Sequence, residues 1–391
     1  MAVSADSGDM TRNIQPTVTR SSRTRGVSRA DYDRRSVQQR LFTCAIEANV
    51  PVYLTGKPGI GKTEFISAFA RRNGYEAILL SAPHLEPGDI TGLPVESPST
   101  DGKFRTTFAM MEWIDILNNA PKAILFIDEL PLASDDTRKT LLSLIQGHTA
   151  GIHKLGDHVR IVAAGNPMSW SMESVPLSEA MRTRLLHISW KSDRAEWLEH
   201  HLTKYVHWTA PALPTDGDVM GEDACHQLDG ILYDSPSLID CDDITNLDPE
   251  SPFNVNRSWD NVFDIIRVIP SNDFEVLHYA MTGLVGEEPA AKVSAAMRYR
   301  LPVREVIKDP YVFDWNGEPG DRVYALLAAV VDHAVDSTSK LATPDDASYV
   351  LGVAAKSRAD IAYAHLSRML SWLPDYELDT ETAKIFADFI S

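Results

Sequence analysis

The sequence predicts an α/β protein with a parallel five-stranded sheet flanked by helices, followed by an α-helical lid and an α-rich C-terminal module. Three observations carry this prediction. Short, apolar, β-prone runs alternate with amphipathic segments from about Ser36 to Asp193, a glycine-rich turn follows the first run, and only helical spacing recurs beyond Asp193. Helices that cross over between parallel strands produce this alternation.

The elements follow in chain order. A first helix is predicted at 36–48, and the five strands are predicted at 51–55, 75–81, 123–127, 159–164 and 185–189. These strands are short and apolar, as expected for a parallel sheet that is covered on both faces. Apolar residues at helical spacing then predict helices at 195–206, 258–268, 274–284, 290–300, 322–335, 347–372 and 380–390.

Composition narrows the function classes. The formal net charge is −18 over 391 residues, and such an acidic chain repels phosphate backbones, so a nucleic-acid partner is disfavoured. No apolar run reaches the roughly 18 residues that a membrane-spanning helix needs, so no membrane span is expected. The three cysteines, Cys44, Cys225 and Cys241, are too scattered for a disulfide scaffold, which favours a cytoplasmic location.

The first 35 residues differ from the rest of the chain. Arginines lie there among serines and threonines with little apolar content, at positions Arg12, Arg20, Arg23, Arg25, Arg29, Arg34 and Arg35. This composition is typical of a disordered basic tail. An arm that docks on an acidic partner or on a neighbouring subunit is the alternative.

A second unusual stretch is acidic. Residues 214–260 contain twelve Asp or Glu residues and a single Arg, which predicts an exposed acidic insertion at about 209–256. A solvated loop and a segment that docks a partner are both open. Cys225, His226 and Cys241 lie within it without the paired spacing of a zinc site, so we predict no metal there.

A glycine-rich loop between the first strand and the next helix carries the most specific motif. It comprises Gly56, Lys57, Pro58, Gly59, Ile60, Gly61, Lys62 and Thr63. The glycines let backbone N–H groups turn towards phosphates, Lys62 adds a positive charge, and the Thr63 hydroxyl is suited to magnesium. The helix N-terminus that follows adds a favourable dipole. The loop therefore predicts binding of a nucleoside triphosphate.

Two acids end the apolar run at 123–127, and Asp128 lies 65 residues after Thr63. Ligands bind at the carboxyl edge of parallel sheets, where such residues emerge. Asp128 is expected to hold magnesium, and Glu129 is placed to polarise the water that attacks the γ-phosphate. An ordinary apolar strand that ends in acids is the alternative.

Asn166 follows the fourth predicted strand and can hydrogen-bond the attacking water or the γ-phosphate, although Asn-Pro is also a common turn. Two arginines precede the fifth strand. An arginine often stabilises the charge of phosphoryl transfer, frequently from another subunit. Arg184 is the first candidate and Arg182 the second, with a surface salt bridge as the alternative for either.

These motifs together resemble the AAA+ ATPases, and among them the MoxR branch. The resemblance covers about residues 36–312 and rests on Gly88-Asp89-Ile90-Thr91-Gly92, Ile127-Asp128-Glu129-Leu130, Ala164-Gly165-Asn166-Pro167, Glu179-Ala180 with Arg184, and Asn256-Arg257-Ser258-Trp259. In that branch the last motif usually begins with proline, which Asn256 replaces here, and its arginine contacts the γ-phosphate. The resemblance thus adds Arg257 to the expected catalytic residues.

The resemblance implies the fold of a P-loop NTPase, ATP hydrolysis with Mg²⁺, and a hexameric ring with nucleotide between subunits. It also implies a pre-sensor hairpin near 151–157 and chaperone-like remodelling of a protein partner, often one with a von Willebrand factor A domain. An ATP-gated scaffold or signalling switch with slow hydrolysis is the alternative, and a DNA-processing motor is the third.

Four regions follow from these expectations. They are a disordered basic tail at 1–35, the nucleotide-binding α/β domain at 36–192, a helical lid domain at 193–312 that includes the acidic insertion, and a C-terminal helical module at 313–391.

Overall fold

The structure is a computed structural model that describes residues 27–98, 103–191, 198, 211–241, 243–299, 301–337, 339, 341–378 and 380–390. Most of the helix predicted at 195–206 and most of the N-terminal tail lie outside these residues. None of the helices in the described part of the chain is both long enough and apolar enough to cross a bilayer.

The described residues contain nine strands and fifteen α-helices. The strands are β1 (Val52–Thr55), β2 (Glu76–Ser81), β3 (Pro94–Pro98), β4 (Phe104–Phe108), β5 (Ala123–Asp128), β6 (Thr149–Ala150), β7 (His153–Lys154), β8 (Val159–Gly165) and β9 (Leu186–Ser189). The helices are α1 (Arg29–Asp33), α2 (Val37–Ala48), α3 (Lys62–Asn73), α4 (Pro87–Thr91), α5 (Glu112–Asn119), α6 (Asp135–Gly147), α7 (Glu179–Arg182), α8 (Gly221–Asp234), α9 (Asn256–Ile266), α10 (Phe274–Val285), α11 (Glu287–Tyr299), α12 (Val303–Lys308), α13 (Gly320–Val335), α14 (Pro344–Trp372) and α15 (Thr380–Ile390).

The five predicted strands form one parallel sheet in the order β2-β5-β8-β1-β9. Their bounds agree with the sequence prediction to within one residue, because each strand contains a short run of apolar side chains, most of them buried in β1, β5 and β8. The fold class is therefore confirmed. All five carboxyl ends lie at the same edge, which brings together the loops that follow β1, β5 and β8.

Hydrophobic cores cover both faces of the sheet. On one face, side chains such as Leu54 and Phe65 pack with α2, α3 and the lid helices α8 to α11 in a single core. On the other face, Tyr53 and Leu125 pack with α4 to α7. Neighbouring residues of a strand point to opposite faces, so Tyr53 and Leu54 serve different cores. A third core joins α12 to α15.

Two antiparallel hairpins project from the sheet layer. Strands β3 and β4 form the first, and β6 and β7 form the second, at the place where the resemblance implies the pre-sensor hairpin. A His153 ring nitrogen lies 3.1 Å from the Phe108 carbonyl oxygen, so the two hairpins touch. The sequence analysis did not predict β3 and β4, because their side chains are mostly exposed and carry no burial pattern.

The prediction that residues 1–35 form a disordered tail is wrong for residues 27–35, the part of the tail that the structure describes. Helix α1 is capped by the Ser28 side chain, which accepts from Asp31 N. Tyr32 is 1% exposed, lies 5.7 Å from the Arg40 guanidinium, and its hydroxyl is 3.5 Å from Cys44 Sγ. The buried Tyr32 side chain packs this segment against α2, and Arg29 ties it to Asp216 and to the Ser271 carbonyl oxygen.

The prediction that residues 209–256 form an exposed insertion is wrong for α8, because one face of this helix is buried. Cys225, Leu228 and Leu232 lie on one face of that helix and are buried against the lid core. Apolar residues at these intervals are the helical signal. Glu222, Asp223 and Asp229 are exposed on the outer face, and the acidic composition of the region concealed the apolar stripe.

Candidate functional site

Glycine conformation sets the shape of the loop between β1 and α3. Gly59 and Gly61 have φ values of 73° and 90°, in the left-handed region that side chains disfavour. Gly61 immediately precedes α3, so the first N–H groups of that helix face the loop. The loop can therefore present backbone donors and a helix dipole to phosphate groups.

Lys62 is anchored inside this loop. Its Nζ donates to the carbonyl oxygens of Gly56 at 2.8 Å and Lys57 at 3.2 Å, and to Asn166 Oδ1 at 2.9 Å. Burial lowers the pKa of Lys62, and the charges of Asp128 and Glu129 offset this only in part. The ammonium group thus joins the loop after β1 to the end of β8 and would gain from an additional anion.

Thr63 and Asp128 meet at the same edge of the sheet. Thr63 Oγ1 donates to Asp128 Oδ2 at 2.8 Å, and Asp128 Oδ1 accepts from the Glu129 backbone N at 3.0 Å. A hydroxyl and a carboxylate oxygen side by side are the ligands that Mg²⁺ prefers, and it usually keeps several waters as well. These residues therefore fit the ion that the sequence analysis expects.

Glu129 has an unusual backbone conformation. Its φ and ψ are 57° and 37°, a left-handed geometry that costs a non-glycine residue about 1 to 3 kcal/mol. The residue immediately follows β5, and the chain turns there into a short 3₁₀ segment. Such strain is found where a side chain must be held at a set position.

Beyond Asn166, the loop between β8 and α7 passes over the glycine-rich loop. Lys57 Nζ lies 4.3 Å from the centre of the Trp170 ring, and the Met168 backbone N donates to Glu250 Oε1 at 2.9 Å. The sequence analysis identified neither Trp170 nor Glu250 as part of the site. No local sequence pattern predicts these contacts, since residues 168 and 250 are 82 positions apart.

The two candidate arginines have different surroundings. Arg182 is 4% exposed, and its Nη1 donates to the carbonyl oxygens of Asp248 at 3.3 Å and Ser251 at 3.0 Å. Its guanidinium also lies 5.0 Å from the centre of the Phe253 ring. Arg182 is therefore committed to contacts within its own chain, which favours Arg184 as the residue that reaches a nucleotide.

Arg184 lies close to Arg257, the arginine that the sequence analysis expects at the start of a lid helix. It donates to the carbonyl oxygen of Ala180. Burial, and after it the charge of Arg257, lowers the pKa of Arg184. Arg257 is exposed near the start of α9, where Asn256 occupies the first helical position. Two neighbouring guanidinium groups of like charge form a place suited to an anion.

A cavity of about 410 Å³ lies under α10, which lines it with Tyr279, Thr282 and Gly283. Its lining includes Gln38 from α2, Ile188 from β9 and Tyr279 from α10. This volume is in the range of small-molecule sites. His187 also lines the cavity, and burial lowers its pKa to about 4, so its imidazole is neutral at physiological pH.

Comparison with known families decides what this arrangement is. Residues 52–187 match the family described as "ATPase family associated with various cellular activities (AAA)". Residues 52–187 are an AAA ATPase domain. The parallel sheet and the glycine-rich loop agree with an AAA domain at residues 52–187, and the match supports nucleotide binding and ATP hydrolysis by that domain.

Similarity to individual proteins is limited. Midasin of Giardia intestinalis is 27% identical over 172 residues, which cover 40% of this chain and 3% of Midasin. The chain therefore spans a very small part of that protein's length. A crystal structure from Cytophaga hutchinsonii, of a protein proposed to be an ATPase, matches 83% of this chain and 87% of its own at 16% identity, with a TM-score of 0.30.

Proposed function

We propose that this AAA ATPase belongs to the MoxR-like branch and works as a hexameric ring that remodels or activates a protein partner. The observation that carries the proposal is an apolar surface on the two touching hairpins. Leu93, Phe104 and Ile152 are 63%, 73% and 63% exposed there. Exposed apolar clusters of this kind mark sites of protein contact.

The residues of the nucleotide site have distinct proposed roles. The loop from Gly56 to Thr63 holds the phosphates, and Lys62 places its charge on the terminal ones. Thr63 and Asp128 hold Mg²⁺, which when bound neutralises phosphate charge. Glu129 accepts a proton from the attacking water, and its strained backbone keeps the carboxylate at the strand end. Asn166 orients that water or the γ-phosphate.

The arginines act on charge that develops during transfer. Arg184 and Arg257 face the γ-phosphate, and their mutual repulsion is relieved when the anion is present. The cavity under α10 accepts the nucleoside. If Arg184 reaches the nucleotide of a neighbouring subunit, hydrolysis requires the ring, and each subunit senses the nucleotide state of the next.

A partner bearing a von Willebrand factor A domain is the proposed class of substrate. ATP turnover is measured with the chain alone and with such a protein added. Remodelling predicts that the partner stimulates turnover, whereas a signalling switch predicts ATP-gated binding without stimulation. A DNA-processing motor predicts stimulation by DNA that salt suppresses.

The hairpin surface is tested with the double variant Phe104→Ser and Ile152→Ser. Stimulation by the partner should be lost while basal turnover stays unchanged, because the hairpins do not contribute residues to the nucleotide site. Tyr349→Ser, at an aromatic position of α14 that is 52% exposed, is the control and should keep stimulation. Full stimulation of the double variant would refute the role of this surface.

A further inference from the structure

One short part of the acidic region contacts both Arg182 and the loop that follows Asn166. We define the bridging segment as residues 248–253, which lie just before α9. It accepts hydrogen bonds from Arg182 through the Asp248 and Ser251 carbonyl oxygens, and it places the Phe253 ring against the same guanidinium. Through Glu250 it holds the Met168 N–H, two residues beyond Asn166.

The bridging segment is fixed to the lid. The Phe253 carbonyl oxygen accepts from Ser258 Oγ of α9 at 3.0 Å, and Phe253 itself is 7% exposed. The Pro252 carbonyl oxygen lies 3.2 Å from the position that a Cβ on Gly286 would occupy, so it also abuts the end of α10. A movement of α9 and α10 must therefore displace residues 248–253.

Arg182 makes this connection stiff. Its guanidinium is buried against two carbonyl oxygens and an aromatic ring, and its Nε has no hydrogen-bond partner among the described residues. A buried charge that loses its remaining partners costs several kcal/mol, so Arg182 follows the segment rather than detaching from it. Arg184 is two residues further along the chain and moves with Arg182.

We propose that the bridging segment is a positioning element that couples the lid to the catalytic groups, through Arg182 to Arg184 and through Glu250 to Asn166. Arg182, Glu250 and Phe253 are thus positioning residues, and nucleotide-dependent movement of the lid sets the geometry of both catalytic side chains. The inference rests on the roles proposed above for Arg184 and Asn166.

The coupling predicts a specific kinetic signature. The glycine-rich loop binds ATP in the ground state, whereas Asn166 and Arg184 act during transfer. Loss of positioning should therefore lower kcat and leave the affinity for ATP unchanged, since a misplacement of about 1 Å can cost about 100-fold in rate. A purely structural role would lower stability or ATP affinity together with kcat.

Glu250 offers the cleanest test because its side chain is partly exposed and its replacement should not unfold the chain. Glu250 also borders the cavity under α10, so Glu250→Ala can change the Kd for ATP, but kcat at saturating ATP should fall by about 10- to 100-fold, more than the Kd changes. Glu250→Gln keeps an oxygen acceptor for Met168 N and should restore most of kcat. Asp229→Ala removes an exposed acid of α8 and is the matched control, expected to resemble the wild type.

A double-mutant cycle separates this proposal from the catalytic assignment. If Glu250 acts through Asn166, Glu250→Ala should have little further effect on kcat in an Asn166→Ala background. Additive losses, or no loss of kcat in Glu250→Ala, would overturn the positioning role. Wild-type turnover of Asn166→Ala alone would instead refute the role of Asn166 in the proposed function.

Discussion

Lys62 determines how the site responds to an anion. Three oxygen acceptors hold its ammonium group, yet burial still lowers its pKa. The charges that surround it in the free protein are thus insufficient to compensate for desolvation. Phosphate groups at the loop would supply the missing negative charge, which makes Lys62 the residue most directly coupled to nucleotide binding.

The pH dependence of ATP affinity tests this coupling. Bound phosphates favour protonated Lys62, so affinity should be highest where the amine is protonated and should fall as pH rises through its lowered pKa. Lys62→Arg keeps its charge at every accessible pH and should show a flatter profile, whereas Lys62→Ala should lose binding. Titrations of the wild type and the Arg variant between about pH 7 and pH 10 measure the difference. Parallel profiles would contradict the assignment.

The lid depends on close contact between α10 and β9. A Cβ on Gly283 would lie 2.3 Å from the His187 carbonyl oxygen, so no side chain fits at this contact. Helix α10 also lines the cavity assigned to the nucleoside. The position of the lid and the shape of the cavity are consequently set by the same pair of elements.

Gly283→Ala should separate α10 from β9, destabilise the fold by about 1 to 3 kcal/mol and weaken ATP binding. The control is Gly230→Ala, at a helical position of α8 where a Cβ meets nothing within 4 Å, which should stabilise by about 0.5 to 1 kcal/mol. Urea unfolding and ATP titration of both variants provide the measurement. Equal behaviour of the two variants would show that the close contact is unimportant.

Burial decided which elements could be predicted from the sequence. Strands β1, β5 and β8 are runs of mostly buried apolar residues, so both their positions and the polar residues at their ends were found. Hairpin β3-β4 was missed because it is exposed on both faces. Trp170, Glu250 and the contacts of Arg182 could not be found, because they depend on residues distant in sequence that only the folded chain brings close.

At the scale of the whole molecule, the sheet and the lid helices share one hydrophobic core. Side chains of β1, β8 and β9 pack in the same cluster as those of α9 and α10. The C-terminal helices have a core of their own. The boundaries at 36–192, 193–312 and 313–391 stay a proposal, and the shared core implies that lid movement is small or is coupled to the sheet.

Assembly is tested by mixing two inactive variants. Arg184→Ala should bind ATP without hydrolysing it, and Lys62→Ala should not bind ATP. If Arg184 acts on a neighbouring subunit, a mixture should regain some turnover, because an intact nucleotide site can meet an intact arginine. Each variant mixed with wild-type protein is the control for assembly. No recovery, with assembly intact, would place Arg184 in its own subunit's site.

Hydrolysis by this site is the central claim, and ATP turnover of Glu129→Gln tests it most directly. The substitution keeps size and hydrogen bonding but removes the base, so the variant should bind ATP with wild-type affinity. Turnover should fall by about 100-fold or more, which is the usual contribution of a positioned general base. Wild-type turnover by Glu129→Gln, with ATP binding intact, would contradict the account.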